Sequence, residues 1–92
     1  MREKRDDLLK PLPPPRPLRD IPDGAIAQVV ALEGGLEFQN RLTSMGLAVG
    51  SQVRVLQSCN GRRGPTLVAV GESRFAVGYG MAGGVLVREG KP

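Results

Sequence analysis

Apolar residues recur along this chain in short alternating runs broken by glycine, and one stretch switches to a helical period. Residues 25–32, AIAQVVAL, are apolar and β-branched and follow an Asp23-Gly24 turn signal, so they predict a strand. Ala27 and Val29 share one parity and Leu32 takes the other. A bulge near Val30 would bring all three to one face. Gly34-Gly35 ends the run. Phe38, Leu42 and Met45 then recur at i, i+4 and i+7, which predicts a helix of about three turns. Gly46 follows at the position where a positive φ stops a helix. The apolar stripe of that helix reads as core-facing.

Residues 52–57, QVRVLQ, alternate cleanly, with Val53 and Val55 on one face and Gln52 and Arg54 on the other. Residues 58–65, SCNGRRGP, read as a loop, and 66–70, TLVAV, as a third strand. Gly71-Glu72-Ser73 is a tight connection to a return strand at 74–77, RFAV. The glycines of 78–84, GYGMAGG, exclude a long helix, and a single 3₁₀ turn is the expectation there. Residues 85–88, VLVR, form the last strand. The order predicts a mainly β fold: a small closed or partly closed β-barrel of about five strands, with one short α-helix after the first. Closure would protect edges that a small open sheet exposes.

Ahead of this unit lies PLPPPRP at 11–17, with five prolines in seven residues. It reads as polyproline II or unstructured chain, preceded by a short frayed helix over 1–10. Residues 1–17 are therefore expected to be a flexible basic proline-rich N-terminal tail, and 18–90 the folded domain. Charge sharpens the division. Residues 1–19 carry six basic and three acidic side chains, whereas 20–92 carry seven and six. A nearly neutral domain argues against a nucleic-acid partner, because phosphate neutralisation needs positive charge on the domain itself. Arg2, Lys4, Arg5, Lys10, Arg16 and Arg19 instead give the head an attraction to anionic membrane surfaces, a route to peripheral membrane proximity. The head also contains Pro11-x-x-Pro14-x-Arg16, a polyproline-ligand pattern. A domain whose aromatics are Phe38, Phe75 and Tyr79 has too few to build the groove that would bind it. No secretory h-region follows the N-terminal charges and no run approaches a membrane span, so the expectation is a cytoplasmic protein.

Candidate chemistry is sparse. The chain has no histidine, so no Ser-His or Cys-His pair exists, and no phosphate loop is present. The carboxylates of the domain fall at predicted turns and element edges. We therefore expect no enzyme, no catalytic residue and no cofactor. Cys59 is the single cysteine. It reads as a loop thiol or small apolar filler, with two sharper readings beside these. One is a metal ligand completed by a carboxylate of a second molecule, and the other an intermolecular disulfide. A homodimer is compatible with either.

The ordered spacing carries a family resemblance. Gly24-x-x-Ala27-x-Val29-x-x-Leu32 resembles the opening strand of the FeoA family. Arg41-Leu42-x-x-Met45-Gly46-Leu47-x-x-Gly50-x-x-Val53-x-Val55 resembles its most specific signature. Gly64-Pro65, Val68-x-Val70-x-x-x-x-Phe75-x-Val77, Ala82 and Val85-x-Val87 match the remainder. The similarity spans about residues 18–88. It implies an SH3-like barrel that acts in ferrous iron transport with the FeoB-type membrane iron transporter, whose cytoplasmic part binds GTP. The same fold also occurs behind a DNA-binding domain in iron-dependent repressors, which keeps a metal-responsive or nucleic-acid-binding regulatory domain as the alternative. Where many family members place Arg or Lys after the strand matching 75–77, this chain has Gly78 and Tyr79.

A protein-binding role directs attention to two places. Arg62 and Arg63, between Gly61 and Gly64, read as a solvated basic loop, a salt-bridge donor to a partner, or an arginine finger toward a partner's GTP. Met45, Leu47 and Val49 lie at the helix exit beside Arg41. Met45 and Leu47 either close the core or join Val49 in an apolar docking patch.

Overall fold

The computed structural model describes residues 13–90; the expected helix over 1–10 lies outside them. Six strands form one antiparallel sheet: β1 (Arg16–Pro17), β2 (Ile26–Leu32), β3 (Gln52–Gln57), β4 (Thr66–Val70), β5 (Ser73–Val77) and β6 (Val85–Glu89). Their spatial order is β1-β6-β2-β3-β4-β5. The sheet wraps one core but does not close: β1 and β5 remain as edges.

The sixth strand comes from the proline-rich segment. Arg16 pairs with Val87 and Pro17 with Leu86. A two-residue edge strand accommodates proline because it pairs on one side alone. Arg88 Nε also donates to the carbonyl of Pro13 at 2.8 Å, so residues 13–17 lie along β6. Strand pairing thus begins two residues ahead of the expected start of the domain. A 3₁₀ turn over Leu18–Asp20 follows, with Leu18 and Ile21 fully buried.

The expected bulge in β2 is present: the register against β6 shifts between Val29 and Ala31. A second bulge, between Val55 and Gln57 of β3, has no signal in the alternating pattern there. It turns Gln57 outward opposite Leu67, while Leu56 keeps the outward parity of Arg54 and is 40% exposed. In β4 the inward parity belongs to Thr66 and Val68, and Leu67 faces out.

The helix α1 runs Leu36–Ser44 with Leu42 buried and Phe38 and Met45 packed against the core. Its end is a Schellman turn. Gly46 N donates to Thr43 O at 2.9 Å and Leu47 N to Leu42 O at 2.9 Å, with Gly46 at φ 97°. Valines of β2–β6 dominate the core, joined by Leu18, Ile21, Leu42 and Leu47.

The 78–84 segment differs from expectation. It holds a five-residue α-helix, α2 (Tyr79–Gly83), rather than a 3₁₀ turn. Ala82 N donates to Gly78 O at 2.8 Å, and Ala82 is fully buried. Intrinsic propensity would not hold the four glycines of 78–84 near a helix; burial of Ala82 does.

Candidate partner-binding surface

The loop between β3 and β4 is pinned at its base. Ser58 N donates to the Asp23 carboxylate, Asn60 N donates to Ser58 Oγ at 3.0 Å, and Arg62 N donates to Cys59 O at 2.9 Å. Asn60 at φ 52° and Gly61 at φ 78° reverse the chain. Arg62 and Arg63 therefore stand exposed on the crest of an ordered turn. A hollow of about 470 Å³ beside them is bordered by Gln57, Cys59, Arg62, Gly64 and Leu67.

Cys59 is not an exposed loop thiol. It is 7% exposed, and its Sγ donates to Arg19 O at 3.3 Å. It acts as a small filler that ties this loop to the segment ahead of β2. Among the described residues no three metal-ligating side chains cluster.

At the exit of α1 the candidates divide. Leu47 is fully buried, so it closes the core and offers nothing to a partner. The Schellman turn causes this, because it folds the residue after Gly46 back onto Leu42. Met45 is half-buried against the core. Val49 is 63% exposed, on a turn held by Gly50 N to Val29 O at 2.8 Å. Arg41 is exposed in the last turn of α1. No hydrogen bond or ion pair among the described residues joins this group to Arg62 and Arg63.

The outer face of the sheet carries a third group that sequence reading did not single out. Arg54 pairs with Ala69 and Ala69 with Arg74, so two arginines flank a small residue in one cross-strand row. They border an open trough of about 590 Å³ with Ile26, Leu56, Ala69 and Glu72. The alternation of β3 already places Arg54 outward. The register that sets it two strands from Arg74 belongs to the sheet and has no local signal.

Five arginines, 41, 54, 62, 63 and 74, donate no side-chain hydrogen bond and form no ion pair among the described residues. By contrast, Arg16 bonds Glu89 and Asp20 O, Arg19 bonds Tyr79 O, and Arg88 bonds Pro13 O. The basic side chains nearest the head are thus used internally, and those with no such partner among the described residues are exposed on the domain's surface. Among the described residues no helix is long and apolar enough to cross a membrane.

Residues 16–89 match the family model described as the FeoA domain. A protein of Methanocaldococcus jannaschii, provisionally named Fe(2+) transport protein A, is 30% identical over 73 residues, covering 79% of this chain and 85% of its own. The crystal structure of an iron uptake regulatory protein, FeoA, superposes with a TM-score of 0.75 at 40% identity, covering 82% of this chain and 97% of that one. A zinc complex of the Stenotrophomonas maltophilia FeoA, described as a prokaryotic SH3 domain protein, superposes with a TM-score of 0.68 at 26% identity, covering 80% and 94%.

Proposed function

Because this chain belongs to the FeoA family, we propose that it serves ferrous iron transport as a non-enzymatic accessory that docks on the cytoplasmic, GTP-binding part of an FeoB-type transporter and modulates it. The family match across residues 16–89 supports the transport role. The single structural observation that supports docking is the set of exposed arginines with no ion pair among the described residues, above all Arg62 and Arg63 on the β3–β4 loop. A guanidinium held on a pinned turn loses less freedom on meeting a carboxylate than one on a loose tail. Val49 and Arg41 supply a second contact of mixed character at the end of α1. Ferrous iron is the transporter's cargo, and this role requires no iron ligand on the accessory.

The test is a titration of the full chain against the purified cytoplasmic part of the transporter encoded in the same genome. Binding is expected, falling about tenfold or more in the Arg62→Glu, Arg63→Glu double variant and weakening with salt. No binding, together with normal ferrous iron uptake in a deletion strain, would overturn the proposal.

A further inference from the structure

The β5 edge combines three features that point to one kind of ligand. The first is free backbone. Gly71 and Glu72 form a two-residue loop closed by the Val70–Ser73 pair, with Gly71 at φ 60°. The pair closing such a loop exchanges hydrogen bonds, and the pattern alternates from there. Phe75 and Val77 thus bond inward to β4, while Arg74 and Ala76 turn their N–H and C=O groups outward. No strand lies beyond them, and no backbone hydrogen bond reaches them from elsewhere among the described residues.

The second feature is charge. Arg74 is exposed and has no ion pair among the described residues, and Arg54 stands on the same row two strands away. The third is an apolar hollow on the next row. It holds about 250 Å³ and is bordered by Leu56, Leu67, Arg74, Phe75 and Ala76. Leu67 is 36% exposed and Leu56 40%. Ala76 is paired with Leu67 and is too small to cover it.

We propose that the free edge of β5 binds an extended segment of a partner protein carrying a carboxylate opposite Arg74 and, two residues away, a large apolar side chain over Ala76 and Leu67. Added as a seventh strand, such a segment hydrogen-bonds Arg74 and Ala76 through their backbones, which supplies affinity. Residues two apart in a strand share a face, so one acid and one apolar residue meet the charge row and the hollow together. A second copy of this chain fits poorly. Its own β5, Ser73–Val77, has no carboxylate to set against Arg74, and a charge on an edge strand disfavours pairing with a like edge. The inference rests on the proposed reading of the protein as a partner-binding module and adds where and how a partner strand is held.

The probe is a capped nonapeptide with threonine at odd positions and glutamate and leucine alternating at even ones. Two controls replace its glutamates by lysine or its leucines by serine. Isotope-labelled full chain is followed by amide shifts and hydrogen exchange. The first peptide is expected to slow exchange at the Arg74 and Ala76 amides and to bind about tenfold or more tighter than either control. Arg74→Glu is expected to transfer the preference to the lysine peptide, with core methyl signals of Val53 and Val68 unchanged to show that the fold is kept. Equal binding of the glutamate and lysine peptides would overturn the proposal. So would shifts centred on Arg62 and Arg63, no response at millimolar peptide, or edge protection that rises with protein concentration alone, the sign of a second copy. Transporter binding retained without any peptide response overturns this edge and leaves the proposed function standing. Peptide binding without transporter binding does the reverse.

Discussion

The guanidinium of Arg19 lies over the ring of Tyr79, 4.1 Å from its centroid, and its Nη1 donates to the carbonyl of the same residue at 3.2 Å. One side chain thus joins the 3₁₀ turn ahead of β2 to the first turn of α2. The carbonyl of Arg19 accepts from Cys59, which brings the β3–β4 loop into the same junction. Arg19→Ala removes the stacking and the charged hydrogen bond while leaving the backbone contact. It is expected to lower the unfolding free energy by about 1–2 kcal/mol. Urea denaturation measures this, and Arg19→Lys should recover only part of the loss, because an ammonium cannot stack as a plane.

Gly84 has a packing reason to be glycine. A Cβ there would stand 2.6 Å from Glu33 O and 2.9 Å from Phe38 Cζ. The backbone contact cannot yield easily, because Glu33 N donates to Gly84 O at 2.7 Å. Gly84→Ala is expected to cost about 2 kcal/mol or more, read as a lowered thermal midpoint.

Thr66 is fully buried in β4, and its Oγ1 has no hydrogen-bond partner among the described residues. Thr66→Val keeps the shape and removes the unsatisfied hydroxyl. The variant is expected to gain about 1 kcal/mol in a denaturant titration with an unchanged slope. A loss of stability instead would mean that the hydroxyl is satisfied in solution.

Gly46 sits at φ 97° in the turn that ends α1, and a Cβ there meets only Val70 Cγ1 at an ordinary 3.5 Å. Conformation, not space, is what an alanine would violate. Gly46→Ala is expected to destabilise by about 1–2 kcal/mol. Because Leu47 is buried by the same turn, hydrogen exchange at Leu47 N should rise more than at the middle of β3.

The residues that carried the sequence reading explain its reach. Val53 and Val55 alternate with polar neighbours, so the inward face of β3 was legible from period alone, as was the helix from Phe38, Leu42 and Met45. The β2 bulge was legible because one misplaced Leu32 demanded it. In TLVAV every residue but the first is apolar, and there the pattern gives no parity; the structure buries Thr66 and exposes Leu67. The exit of α1 was ambiguous for a similar reason. Met45, Leu47 and Val49 are alike in composition; the Schellman turn buries Leu47, and the next turn, held by Gly50 N to Val29 O, leaves Val49 exposed.

Local pattern and turn chemistry thus determined the strands, the main helix, its stop at Gly46 and the family, since each depends on neighbours within a few residues. Tertiary structure decided the rest. It drew Arg16–Pro17 into the sheet, made a helix of Tyr79–Gly83 by burying Ala82, tied Arg19 to Tyr79, and set Arg54 and Arg74 on one row. Each of these depends on contacts between segments far apart in the chain. Backbone propensity at either partner carries no record of it, because its free energy comes from contacts that exist only once the sheet has assembled.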